Sequence, residues 1–226
     1  MSEVITMSSS RPKQRIYAHL AEIASALGHP HRLELLELIA QGERSVEELA
    51  ERSGLSIANT SRHLQILRRA RLAEPRRAGK RMLYSLISDS DVITLLGSLG
   101  RVGERNVAEV ERIISSYFRA RDALEPVSRD TLLERLHGGS VTLLDVRPAD
   151  EFAQGHLPGA INVPLAELDA ALARLPKDAA VIAYCRGPYC VLSYEAVAAL
   201  RSKGREAYRL EDGYPEWKAA GLPVEA

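Results

Sequence analysis

Residues 45–87 read SVEELAERSGLSIANTSRHLQILRRARLAEPRRAGKRMLYSLI, and this stretch decides the fold of the first half of the chain. Ser45 can cap a short helix over 46–52, with Glu47 and Glu48 in the first turn, where unpaired N–H groups favour oxygen and negative charge. Gly54 ends that helix. Ser56 caps a second one running to about Ala70, with Thr60, Leu64 and Leu67 on its inward stripe. Helix, glycine-containing turn and helix match the spacing of a helix-turn-helix. Residues 72–77 and 81–87 then predict two short strands around Ala78-Gly79-Lys80, a hairpin that would form a wing.

Working outward, Leu20, Ile23, Ala24 and Leu27, then Leu33, Leu35, Leu36 and Ile39, recur at helical spacing on either side of Gly28-His29-Pro30, which predicts two helices. Residues 1–15 are polar and serine-rich and read as a flexible tail. Downstream, Val92, Leu95, Leu96, Leu99, Val102, Val107, Val110, Ile113, Ile114 and Tyr117 mark one long amphipathic helix over 91–124 that needs a partner surface. Glu125-Pro126 breaks the pattern, and 125–127 reads as a linker. The domains expected are therefore 16–124 and 128–226. Beyond the linker, helices near 128–137, 166–174, 191–203 and 214–220 alternate with strands near 142–145, 179–184 and 206–210 and a strand or turn near 160–163. That order predicts an α/β domain with a parallel sheet covered on both faces.

Thirty basic residues balance thirty acidic ones. The balance hides an asymmetry, because residues 1–124 sum to +4 and the remainder to −4. Between Arg62 and Arg81 eight basic residues face one acid, Glu74. A concentrated basic face beside a recognition helix suits a polyanion whose counterions are released on binding. Ser56, Asn59, Ser61, Arg62 and His63 lie near the N-terminus of that helix, where side chains reach base edges. Arg68 adds charge, and Lys80 and Arg81 at the hairpin tip would reach phosphates or a minor groove. An isolated arginine is usually only a solvated one; clustering on one element favours DNA. No apolar run approaches the ~20 residues of a membrane helix, and the start lacks a secretory signal, so a cytoplasmic protein without a membrane partner is expected.

Over about residues 16–120 the chain resembles the ArsR/SmtB family of winged-helix repressors, through LGHPHRLELLELI, SVEELAERSGLSIANTSRHLQILRRARL and RRAGKRMLYSL. The resemblance implies a homodimer built from helices 16–27 and 91–124 on a palindromic operator in double-stranded DNA, with derepression as the default response. The metal-sensing Cys-x-Cys pair and the histidine clusters of many members are missing from the corresponding helices. No metal site is expected there. His29 and His31 read as turn polarity and a first-turn cap rather than as ligands.

Only two cysteines occur, Cys185 and Cys190, which excludes a disulfide framework. In Tyr-Cys-Arg-Gly-Pro-Tyr-Cys-Val, residues 184–191, a strand runs into Cys185 and a helix starts at Val191. A loop closing on a helix N-terminus turns backbone N–H groups and the positive dipole end toward the sulfur, which should lower the thiol pKa. Gly187 lets the loop curl, Pro188 is the one position without a donor, and Tyr189 completes it. Arg186 is the expected exposed cation for substrate. Asp145 and Arg147 read equally well as braces for the loop or as a surface ion pair. Cys190 is either a resolving thiol or a small residue opening the helix; a bridge requires Cα atoms within about 7 Å. Trp217 and Tyr214 read as core or wall.

This half, about 128–224, resembles the rhodanese sulfurtransferase domain through LLDVRPADEFAQGHLPGAINVPL, with Asp145, Arg147, Glu151, His156, Pro158, Gly159 and Ala160 in place, and through EDGYPEWKAAGLPV. The resemblance implies that Cys185 takes sulfane sulfur from a small donor, carries it as a persulfide without any cofactor, and passes it to a thiol acceptor. Val191 stands where a related phosphatase loop would need arginine, which disfavours phosphatase or arsenate reductase chemistry. The sequence thus points to a regulator that senses or handles reactive sulfur. A working sulfurtransferase merely targeted to DNA, and a catalytically weak rhodanese fold used as a ligand or dimerisation platform, are the alternatives.

Overall fold

A computed structural model of the chain describes residues 10–119, 126–138, 141–176 and 179–226. The chain divides into two compact units, Met1–Ser88 and Asp89–Ala226. The division falls before residue 89, so the first part of the helix expected over 91–124 belongs to the second unit. The hydrophobic helix packs with the C-terminal half.

In the first unit α1 spans Ser10–Leu27 and α2 Pro30–Ala40, with His29 as N-cap. The expected tail is therefore helical from Ser10 on, and residues 1–9 lie outside the described residues. A two-residue strand β1, Arg44–Ser45, precedes α3, Val46–Ser53. Ser45 and Glu48 form a reciprocal capping box, and Gly54 closes α3 in the left-handed conformation at φ 67°. Helix α4 spans Ile57–Arg69, capped by Ser56, whose Oγ accepts from the Asn59 N–H. Strands β2, Ala73–Ala78, and β3, Arg81–Leu86, form the wing around Gly79-Lys80, and β1 adds to β3 to give the order β1-β3-β2. Leu35, Leu36, Leu49, Leu64 and Leu67 are fully enclosed in this unit. Leu64 and Leu67, three residues apart, share one face of α4, and α2, α3 and α4 pack on one another.

The second unit opens with α5, Asp89–Asn106, then α6, Ala108–Ile113, which continues as a π-type winding over Ile114–Arg119. The single helix expected over 91–124 is interrupted at Val107, whose backbone is extended at φ −115°. Asn106 and the β-branched Val107 are weak helix formers in succession. Residues 120–124 and Glu125 of the expected linker lie outside the described residues. Helix α7, Arg129–His137, leads into β4, Val141–Asp145, and a short α8, Ala149–Phe152. Then come β5, Ile161–Asn162, α9, Leu168–Ala171, flanked by tighter 3₁₀ turns, β6, Ala180–Tyr184, α10, Val191–Ser202, β7, Ala207–Arg209, and α11, Tyr214–Ala219.

The four strands are all parallel in the order β5-β4-β6-β7. Period-two alternation sorts their side chains to two faces. Leu144, Val181 and Ala183 join α9 and α10 residues on one side, while Leu143, Ile182 and Tyr184 join Leu132, Tyr214 and Trp217 on the other. Among the described residues no helix is long and apolar enough to cross a membrane.

Candidate sulfur site and nucleic-acid interface

The C-terminal end of β6 delivers Cys185, and the chain turns through Arg186-Gly187-Pro188-Tyr189 before Cys190 opens α10 as its N-cap. Gly187 takes φ 153°, a conformation that glycine adopts without penalty. The Cys185 and Cys190 Cα atoms are 6.4 Å apart, and the two sulfurs are joined as a disulfide. The Cys185 sulfur lies 3.5 Å from Ser193 Oγ and 3.6 Å from the Cys190 carbonyl oxygen, so it sits at the first turn of α10. Both cysteines are interior, 2% and 7% exposed. Ser193, which no sequence motif singles out, is buried beside them.

Behind the loop lies a buried charged layer. Arg147 and Asp145 are both 0% exposed. The guanidinium donates to both Asp145 carboxylate oxygens and to the Gly155 carbonyl, and stacks 4.3 Å from the Tyr214 ring. Of the two readings of this pair, the surface ion pair is corrected: neither group touches solvent. Tyr214 carries the brace to the sulfur loop, because its N–H donates to the Cys185 carbonyl at 3.0 Å. The preceding Gly213 packs so closely that a Cβ there would overlap the backbone of Arg186 and Gly187. Tyr184 accepts the Leu157 N–H at 3.0 Å; its burial, together with Asp145, pushes the phenol far above its ordinary range and keeps it neutral.

Arg186 is also corrected. Its guanidinium is 22% exposed and clamps the fully buried Glu151 carboxylate, with Nε 2.9 Å and Nη2 2.6 Å from the two oxygens. The charge that the sequence offered to a substrate is engaged by a carboxylate 35 residues upstream. Arg186 thus fastens the loop to α8. Pro188 accepts from the Tyr194 hydroxyl through its carbonyl, Tyr189 points its hydroxyl at Glu104 of α5, and Val191 is the first residue of α10.

In the first unit, Asn59, Arg62 and Arg68 of α4 are exposed, as are Ser56 at its cap and Lys80 and Arg81 at the wing tip; Ser61 is half-buried. Ile57, exposed at the start of α4, was not anticipated and offers an apolar contact of the kind that reads a thymine methyl. Arg76 is withdrawn from the basic face by Glu43, with Nε 2.8 Å from the carboxylate, which is held below the usual range by that bond.

His63 is likewise withdrawn. Its ring lies 4.6 Å from that of His29 and 6.0 Å from that of His31, and its Nδ1 is buried without a hydrogen-bond partner. Burial first, and then the neighbouring His29, Arg32, His31 and Arg62, push its pKa down, so the ring is a neutral packing element. Among the described residues no group of three or more His, Cys, Asp or Glu is arranged to hold a metal ion.

A family model for bacterial regulatory proteins of the arsR family matches residues 29–74, and one for the rhodanese-like domain matches residues 128–220. The HTH-type transcriptional regulator Rv0324 of Mycobacterium tuberculosis is 41% identical over 213 residues, covering 94% of this chain and 93% of that one. The chain belongs to the arsR family. This arsR-family DNA-binding regulator carries a rhodanese-like domain in the same chain. The regulator is also similar to a sulfurtransferase of Allochromatium vinosum, 33% identical over 102 residues, 44% of this chain and 94% of that protein. Among solved structures, the homodimeric winged helix-turn-helix domain of Mb0332 from Mycobacterium bovis aligns at a TM-score of 0.40 and 31% identity, over 47% of this chain and 94% of that structure.

Proposed function

We propose that this cytoplasmic regulator binds a palindromic operator as a homodimer and that sulfane sulfur arriving at Cys185 changes its affinity for that operator. The observation that carries the reading is the second cysteine: Cys190 lies within bonding reach of Cys185 across a six-residue loop. The reduced Cys185 thiolate, stabilised by the positive end of α10 and by the Ser193 hydroxyl as donor, attacks a sulfane sulfur of a small polysulfide. A new S–S bond forms to Cys185, the donor's S–S bond breaks, and the shortened polysulfide leaves. The Cys190 thiolate then attacks the Cys185 sulfur of the persulfide and expels hydrosulfide. In sum, two thiols and one sulfane sulfur give a disulfide and hydrogen sulfide; the cysteine sulfurs are oxidised and the sulfane sulfur is reduced. No cofactor takes part.

Homodimerisation is supported by apolar side chains left exposed on two helices, Ile16, Tyr17 and Leu20 on α1 and Leu95, Leu99 and Val102 on α5. Release of DNA is the direction that the family resemblance implies. Sulfurtransferase turnover is the weaker reading because Cys190 competes with any external acceptor for the persulfide. The test pairs intact mass with a gel shift, with and without sodium tetrasulfide. Stoichiometric persulfide or disulfide formation with altered operator affinity supports the sensor. Repeated formation of thiocyanate and sulfite from thiosulfate and cyanide with unaltered affinity would instead establish the enzyme, and no reaction at Cys185 at all would leave a structural platform.

A further inference from the structure

We infer that Tyr189 is the lever through which the state of the Cys185–Cys190 pair reaches helix α5, and that α5 carries the signal to its opposite, apolar face; this rests on the sulfur-sensing reading above. Tyr189 sits in the loop next to Cys190, and its hydroxyl donates to Glu104 Oε1 at 2.6 Å. Burial and the Glu104 carboxylate push the phenol above its usual range, so it remains a donor under ordinary conditions. The contact is as close as the backbone allows: a Cβ on Gly100 would lie 2.6 Å from the Tyr189 oxygen. Glycine at 100 is therefore the condition for the phenol to seat against α5, and any side chain there would push the ring away.

A second connection runs in parallel. The Cys185 carbonyl is held by the N–H of Tyr214, the first residue of α11. Helix α11 packs along α5, and its Lys218 Nζ lies 2.8 Å from Asp89 Oδ2 at the start of α5. The sulfur loop is thus attached to α5 near both ends.

The opposite face of α5 explains why this attachment matters. At about 100° per residue, Gly100 and Glu104 fall on one side of the helix, whereas Leu95, Leu99 and Val102 fall on the other. Those three side chains are exposed. One helix therefore has a face seated on the sulfur loop and a face open to a second copy. Closing a bond between Cys185 and Cys190 fixes the position of Tyr189; opening it frees the residue to withdraw from Gly100. A packed helix responds to such a change by shifting as a unit, which moves the apolar stripe.

The full-length protein is compared with its Gly100→Ala and Glu104→Ala variants, reduced and after sodium tetrasulfide. Intact mass reports loading, a gel shift on a duplex selected from a random pool by the reduced wild type reports DNA affinity, and hydrogen exchange reports residues 97–106. In the wild type, loading should change operator affinity by about fivefold or more and alter exchange across α5. In both variants loading should be unchanged, while the affinity ratio falls to within about twofold of one. A wild type that loads sulfur with no change in exchange across 97–106 overturns the lever, whatever the variants do. So do variants that respond like wild type, or that lose loading itself. If the wild type loads and α5 responds but operator affinity stays constant, the sensor reading fails and the lever stands.

Discussion

Replacing Arg186 by alanine separates a loop fastener from a substrate-binding cation. The substitution leaves the Glu151 carboxylate fully buried and stripped of its bidentate partner. Removing one member of a fully buried pair costs about 3–5 kcal/mol. Because the Arg186 side chain is 22% exposed, water can enter the vacated space, and about 2–3 kcal/mol is the appropriate expectation. For a domain of this size that lowers Tm by roughly 5–10 °C. Urea denaturation followed by near-ultraviolet signals of Trp217 measures it. The double variant Arg186→Met with Glu151→Leu should recover most of the loss, because no charge is then left buried. The reasoning is refuted if Arg186→Ala keeps the wild-type urea midpoint while losing only sulfur loading. That outcome would make Arg186 the substrate ligand that the sequence alone suggested.

Three further outcomes follow from the same geometry. Cys185→Ser should abolish sulfur loading and leave operator binding by the untreated protein intact, as read by mass and gel shift; loss of both would make the cysteine structural. Operator affinity should fall steeply with salt, and Arg62→Ala should reduce the logarithmic slope by about 0.9 if its guanidinium neutralises one phosphate; a salt-insensitive complex would contradict the basic face. His63, whose pKa is pushed down by burial, stays neutral in the folded state while the unfolded chain takes up a proton. Stability is therefore fully present above about pH 6.5 and is lost as the pH falls toward the folded value. His63→Gln should flatten that acid loss in urea titrations at pH 7.5 and below.

Local signals were readable from the sequence because they act over a few residues. Ser45 and Ser56 do cap α3 and α4, Gly54 does terminate α3, and the wing turns at Gly79-Lys80. The strand into Cys185 and the helix from Val191 also stand where the apolar pattern put them. What the sequence concealed depends on partners far along the chain. Arg186 looked free because Glu151 lies on another element, and Arg147 looked superficial because its stacking partner, Tyr214, is supplied by α11. Helicity was read correctly over 91–106, but periodicity says only that a face is apolar, not which half of the chain covers the other face. The Tyr189–Glu104 bond, 85 residues apart, had no sequence signature beyond the run of Gly97, Gly100 and Gly103, which marks a close approach without naming what approaches.

The depth of the paired sulfurs bears on time rather than on affinity. Thiol–disulfide exchange needs a nucleophile in line with a sulfur atom, and atoms with 2% and 7% of their residues' surfaces open admit slender anions far more readily than the cysteine of another protein. Setting the bond by a thin polysulfide is then quick, and clearing it by bulky cellular reductants is slow. Under the proposed chemistry, a cell carrying such a protein would retain a trace of a polysulfide burst after the burst had passed.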